Sequence, residues 1–100
     1  MDDFVIVVDS TATRESKDAI SKYINAANCA YWHWFDHVWL VSGLEDFSPS
    51  TLCETLYENG VSEETHLIVF DVKSRDERTF FGKANTRSWP WVFKNWGKLG

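Results

Sequence analysis

The run Phe4-Val5-Ile6-Val7-Val8, which ends at Asp9, is the stretch that decides the fold. All five residues are apolar, and four of them are β-branched. A strand that is apolar on both sides is typical of the centre of a sheet whose two faces are both covered. The run His66-Leu67-Ile68-Val69-Phe70 has the same character. The sequence therefore predicts two buried strands, which we expect to lie parallel in the centre of one sheet.

Two amphipathic helices are predicted in the segments that follow the first strand. The first begins after the capping hydroxyls of residues 10–13, repeats apolar side chains at helical spacing and ends near Asn25–Asn28. The second begins at Ser48-Pro49, a capping serine followed by proline in the first turn, and ends at Asn59-Gly60. Leu52, Leu56 and Tyr57 form its apolar stripe.

The remaining segments complete the predicted architecture. Tyr31–Val41 is rich in aromatic and β-branched residues and predicts one long strand with a bulge near Asp36. Thr79–Phe81 predicts a short further strand, and Ser88–Trp96 predicts a last, Trp-rich helix. We expect one α+β domain over residues 1–100, a ferredoxin-like sandwich of the βαββαβ type. Its four-stranded, mainly antiparallel sheet would carry two helices on one face.

Such a sandwich leaves one face of its sheet without helices, although the predicted strands have almost no polar side to expose. Burial of apolar surface contributes about 25 cal/mol per Å², so a few hundred Å² of exposed sheet favours a cover by several kcal/mol. The cover is either a second copy of the chain or the Trp-rich C-terminal segment. We expect a homodimer that uses the sheet or its edges.

Composition excludes several classes of protein. The chain of 100 residues is 44% apolar and 25% charged, which is typical of a globular domain. No apolar run approaches the length of a membrane-spanning helix, and the start Met1-Asp2-Asp3 lacks the positive flank of a signal peptide. Cys29 and Cys53 belong to no metal-binding motif. We therefore expect a cytoplasmic protein with reduced cysteines and without a resident cofactor.

Charge is divided unevenly along the chain. Residues 1–72 contain three basic and thirteen acidic residues, a net charge of −10, whereas residues 73–100 carry +5. In the C-terminal part, cations alternate with aromatic rings, a pattern that binds single-stranded nucleic acid through phosphates and stacked bases. The same residues could equally pack on the sheet or contact a protein partner. These candidate binding residues are Lys83, Arg87, Trp89, Trp91, Lys94 and Trp96.

The order of these features resembles a known superfamily of small proteins. Asp9 ends the first strand, a helix follows, and Trp32–Val41 contains the Trp39-Leu40-Val41 step. The helix of residues 48–59, the buried strand of residues 67–70, a glycine and a Trp-bearing terminal helix come next. This arrangement resembles the Cas-two, or VapD-like, superfamily of CRISPR-associated spacer-acquisition subunits, in particular its SinR-like branch.

The resemblance implies a ferredoxin-like fold, a symmetric homodimer and, in some members, a metal-dependent nuclease. In those members the aspartate that ends the first strand meets its copy at the two-fold axis and binds a divalent ion, and Asp9 is the matching residue. Asp9 is therefore the candidate catalytic and Mg²⁺-binding residue. Nuclease members are rich in Lys and Arg after this aspartate, whereas residues 10–15 hold one basic and one acidic residue.

Three functional hypotheses follow. The leading one is a small homodimeric binding module without catalytic activity, in a prokaryotic or phage defence or toxin–antitoxin setting that the resemblance implies. The alternative is a Mg²⁺-dependent endonuclease or endoribonuclease that uses paired Asp9 residues. The third is an acidic inhibitor that mimics nucleic acid, because residues 36–72 hold eight acidic residues and no Lys or Arg.

Overall fold

The computed structural model describes residues 2–72 and 74–100 and shows an α+β architecture. The strands are β1 (Asp2–Val8), β2 (Ala30–Phe35), β3 (Val38–Leu44), β4 (Leu67–Asp71), β5 (Thr79–Phe80) and β6 (Lys98–Leu99). The helices are α1 (Arg14–Ala26), α2 (Pro49–Glu58) and α3 (Trp89–Asn95), with a 3-10 turn over Arg75–Glu77. Within the described ranges, no helix is long and apolar enough to cross a membrane.

The main sheet has four strands in the order β2-β3-β1-β4, and every neighbouring pair is antiparallel. This arrangement is compatible with a ferredoxin-like sandwich. The prediction that the two apolar runs are parallel central strands is wrong, because β4 is antiparallel to β1 and lies at the edge. The hairpin of β2 and β3 occupies one side of β1, so β4 takes the other side as the last strand.

The predicted single strand over Tyr31–Val41 is also wrong. The stretch forms a hairpin in which Phe35 pairs with Val38, and Asp36 and His37 make the two-residue turn between β2 and β3. The register shifts between Trp32 and Phe35, so the irregularity lies within β2. A continuous strand of eleven residues would span about 36 Å, much longer than an ordinary strand, whereas the hairpin pairs both halves.

The predicted strand over Thr79–Phe81 exists only as the two-residue β5, outside the main sheet. It pairs in parallel with β6, with Thr79 opposite Lys98 and Phe80 opposite Leu99. The small sheet therefore joins two strands of the C-terminal segment, residues 74–100, and is separate from the main sheet. The backbone N–H of Lys98 donates to the carbonyl of Arg78 at 3.1 Å.

Helices α1 and α2 cover the first face of the main sheet. The core between them contains Phe4, Ile6 and Val8 of β1 together with apolar side chains of both helices, including Ile20 and Leu56. The ends of α2 confirm the sequence prediction, since Ser48 forms a capping box with Thr51 and the helix ends before Asn59. The apolar stripes of α1 and α2 therefore both pack on the first face of the main sheet.

The C-terminal segment lies against part of the opposite side of the sheet, called here the second face. Trp32 of β2 forms a buried cluster with Val92 and Trp96, and half-buried Val5 and Leu40 pack against this cluster. Of the two covers expected from the sequence, the chain's own C-terminal segment is therefore the one observed over this part of the second face. Large apolar side chains outside this contact stay exposed, as described below.

Candidate functional site

Asp9 lies at the end of β1, where its carboxylate is held by neighbours in the same chain. One oxygen, Oδ1, accepts hydrogen bonds from the backbone N–H of Thr11 at 3.0 Å and from its hydroxyl at 2.7 Å. The other, Oδ2, lies 2.9 Å from Nδ1 of His66 at the start of β4. The hydroxyl of Thr11 and then His66 lower the pKa of Asp9 below its ordinary value.

A second ionic cluster lies beside Asp9 at the same end of the sheet. The backbone N–H of Val8 donates to the carbonyl of His37, which brings the turn between β2 and β3 next to the end of β1. In that turn, Oδ2 of Asp36 lies 2.7 Å from Nζ of Lys17 and 3.6 Å from Nε2 of His37. The bonded ammonium group of Lys17 is the main cause of a lowered pKa for Asp36.

The geometry of Asp9 does not fit a divalent metal site formed within one chain. Among the described residues there is no group of three or more His, Cys, Asp or Glu side chains that could hold a metal ion. Both oxygens of Asp9 also have hydrogen-bond partners already. The shared ion that the resemblance implies would need a second copy of Asp9, and it stays a prediction.

The other histidine and the two cysteines have structural surroundings. The ring of His33 stacks on Trp39 with 4.0 Å between the centroids, and its Nδ1 lies 2.9 Å from the carbonyl of Val38. Both Cys29 and Cys53 are free and half-buried. Burial raises the pKa of both thiols, which keeps them protonated and less reactive as nucleophiles.

The predicted binding residues of the C-terminal segment separate into buried rings and exposed cations. Trp96 is 7% exposed and lies under the guanidinium of Arg78, 4.3 Å from the ring centroid. Trp89 stacks against Phe80 and is half-buried, as is Trp91. Among these predicted binding residues, the cations rather than the tryptophan rings are therefore the groups presented to solvent. These exposed cations are Lys83, Arg87 and Lys94.

Apolar side chains are exposed along β4, the edge strand of the main sheet. Ile68 is 57% exposed and Phe70 is 50% exposed, so the prediction that this apolar run is buried on both faces is wrong. They lie opposite Val7 and Val5 of β1, respectively, so they continue the apolar rows of the second face to the edge. These two residues, with the half-buried Val7, form what we call the β4 patch.

The acidic residues of the central stretch also face solvent. All eight acids between residues 36 and 72 are exposed: Asp36, Glu45, Asp46, Glu54, Glu58, Glu63, Glu64 and Asp71. The chain thus presents acidic groups from its body and basic groups from its C-terminal segment.

Sequence reasoning missed two residues that organise these surfaces. The sequence indicates only that His66 begins an apolar run, because the antiparallel pairing of β1 with β4 has no local signal. With that pairing, the residue before β4 necessarily lies beside the residue after β1. Arg78 is 7% exposed, and its guanidinium lies 2.6 Å from Oδ2 of Asp3. An arginine in a polar stretch carried no local signal of burial.

We expect Thr11→Val to raise the pKa of Asp9 more than His66→Gln does, because the hydroxyl of Thr11 is the largest cause of the lowering. Carbon-13 NMR titration of the Asp9 carboxyl group measures both changes.

The lowered pKa of Asp9 also makes stability depend on pH. A pKa lower in the folded than in the unfolded state stabilises the fold at pH values above the ordinary 3.8, and this contribution is lost as the pH falls. Asp9→Asn should therefore lower Tm at neutral pH and have little effect near pH 2. An equal effect on Tm at both pH values would contradict this assignment.

The chain was compared with protein-family models, with curated proteins and with solved structures, and none of the three comparisons gave a match.

Proposed function

We propose that this chain is a homodimeric binding module that acts without catalysis, and that its copies meet through the β4 patch. The single observation that carries the proposal is the exposure of Ile68 and Phe70 by half or more on an edge strand. The prokaryotic or phage defence or toxin–antitoxin setting belongs to the proposal through the resemblance described above.

An edge strand with apolar side chains is a template for association, because its outer N–H and C=O groups and its apolar face can both be satisfied by a partner. Stable interfaces bury about 1,200–2,000 Å² in total, more than β4 supplies alone. A dimer of this size would extend from the β4 patch onto neighbouring surfaces of each copy.

A second copy is favoured as the partner by the distribution of charge. Residues 1–72 carry a net charge of −10 and residues 73–100 a net charge of +5, and exposed side chains contribute to both. In a dimer with two-fold symmetry, the basic segment of each copy can lie near the acidic body of the other, and every such contact occurs twice. Complementary charge of this kind favours association and fixes its orientation.

The arrangement around Asp9 supports a role without catalysis. A catalytic carboxylate in a nuclease must be free to bind a metal ion or water, whereas Asp9 is bonded to Thr11 and His66. Only Arg14 supplies a positive charge in residues 10–15, which leaves little to bind a phosphate backbone there.

We expect the purified protein to sediment as a dimer at micromolar concentration and Ile68→Lys to sediment as a folded monomer. The substitution places a charge where the proposed interface buries an apolar side chain. Leu99→Lys is the matched control, since Leu99 is 59% exposed, close to the 57% of Ile68, and lies on β6 outside the β4 patch. Circular dichroism verifies that both variants fold. A monomeric parent protein, or equal loss of the dimer in both variants, would refute the proposed interface.

The proposed absence of catalysis has its own test. Labelled RNA and DNA are incubated with the protein, with and without Mg²⁺, and compared with Asp9→Asn. We expect no metal-dependent cleavage. Cleavage that requires Mg²⁺ and disappears in Asp9→Asn would replace the binding module by the nuclease alternative.

A further inference from the structure

A groove lies between the second face and the C-terminal segment, and the proposed dimer does not account for it. Its volume is about 410 Å³. Trp32 and Leu40 of the sheet line one side, and Phe81, Lys83 and Trp89 of the C-terminal segment line the other. We refer to it as the aromatic groove. This volume lies within the range of about 300–1,000 Å³ that is usual for small-molecule sites.

The walls of the aromatic groove include aromatic rings that the fold leaves exposed. Phe81 is 84% exposed and Phe35 is 50% exposed, and both line the groove although they are far apart in sequence. Phe35 also meets Trp32 edge to face, with 4.9 Å between the ring centroids. A planar ligand between these rings would cover apolar surface on two sides and gain ring-to-ring contacts.

The charge of the groove selects for negative charge on the ligand. Lys83 is the one charged residue among the described residues that line it, and it is exposed. An exposed cation complements an anionic acceptor such as a carboxylate.

We propose that the aromatic groove binds a small planar aromatic compound that carries one carboxylate. The ring system lies among Trp32, Phe35 and Phe81, and the carboxylate contacts Lys83. Macromolecular partners do not fit as well, because the groove is a local cavity. The β4 patch and the exposed acidic residues offer the more extended surfaces.

The experiment uses 2-naphthoate as the probe and its neutral counterpart, 2-naphthalenemethanol, for comparison. Binding is measured by isothermal titration calorimetry and by the change in tryptophan fluorescence. We expect saturable binding of one naphthoate per chain. Lys83→Gln should weaken the binding of naphthoate by roughly three- to fivefold, as expected for an exposed charge pair, and leave the binding of the alcohol unchanged. Lys94→Gln removes an exposed lysine of α3 outside the groove and should change neither affinity.

A second variant blocks the groove without using charge. Gly82 lines the groove, and a Cβ added there meets no atom within 4 Å, so Gly82→Leu can fold and fill part of the space. We expect it to abolish binding of both probes. The proposal is overturned if naphthoate does not saturate, if Gly82→Leu binds it unchanged, or if Lys83→Gln and Lys94→Gln weaken it equally. It is also overturned if the Ile68→Lys monomer binds naphthoate but the dimeric parent protein does not, since a second copy then fills the groove.

The groove and the dimer are tested separately. The Ile68→Lys monomer should bind naphthoate as tightly as the parent protein, because Ile68 does not line the groove. A failure of the dimer proposal therefore leaves this result unchanged, and a failure of naphthoate binding leaves the sedimentation result unchanged.

Discussion

Replacing Trp39 by alanine lowers the free energy of unfolding by about 3–5 kcal/mol, the usual cost of removing a large aromatic side chain from a core. Trp39 is fully buried on β3, between β1 and β2. Its ring stacks on His33, and its Nε1–H donates to the hydroxyl of Ser21 on α1 at 3.0 Å. One side chain thus joins the central strands to the first helix. Urea unfolding followed by circular dichroism measures the loss.

Two further variants separate the packing of this side chain from its hydrogen bond. Ser21→Ala keeps the ring but leaves the indole N–H without its partner, and we expect a smaller loss of about 1–3 kcal/mol. The loss of stability in Trp39→Phe should lie between the losses in Trp39→Ala and Ser21→Ala. A small domain has about 5–15 kcal/mol of stability in total, so Trp39→Ala should leave little margin. If Trp39→Ala loses no more stability than Ser21→Ala, the packing of the ring does not contribute as expected.

Asp3→Asn releases the C-terminal segment from the second face and lowers stability by about 3–5 kcal/mol, because it leaves the buried guanidinium of Arg78 without its counter-charge. The side chains of Arg78 and Asp3 are 6% and 16% exposed, so water cannot readily replace the lost partner. Asparagine keeps an oxygen for the backbone N–H of Gly43, which donates to Oδ1 of Asp3 at 2.9 Å. The loss of stability therefore measures the ion pair with Arg78 and not the hydrogen bond from Gly43.

Limited proteolysis and tryptophan fluorescence measure the release. We expect faster cleavage within residues 74–100 and a red-shifted emission, because the covered Trp32 and Trp96 become exposed to water. The double variant Asp3→Asn with Arg78→Met removes both charges and should recover much of the stability, since a buried apolar side chain needs no counter-charge. A double variant that is less stable than Asp3→Asn would contradict this explanation.

The helices were predictable because their signals are local. Ser48 and Pro49 place the start of α2 through a capping hydroxyl and a fixed φ angle, and Asn59-Gly60 places its end. The apolar run of residues 4–8 likewise identified β1 as a strand of the sheet. The hairpin was not predictable in the same way, because Asp36 and His37 are only a brief polar interruption in an aromatic stretch.

The candidate site was predictable in part. The end of the first strand singled out Asp9, but its partner His66 depends on antiparallel pairing of β1 with β4. The cations of the C-terminal segment were identified from charge alone, whereas the inward placement of Trp96 depends on Arg78 and on the sheet beneath it. The aromatic groove had no sequence signal, since its walls come from separate strands and the C-terminal segment.

The amino-acid sequence by itself determined which segments are helices, which are apolar strands, and that one face of the sheet needs a further cover. Capping, apolar periodicity and composition act over a few neighbouring residues or over the whole chain, so they can be read without coordinates. Only the tertiary structure decided the strand order, the partner of Asp9 and the identity of the cover. These depend on contacts between residues 57 positions apart, as in Asp9 with His66, or 75 apart, as in Asp3 with Arg78. Such contacts form only when the complete chain packs, because each requires the other strands to be in place.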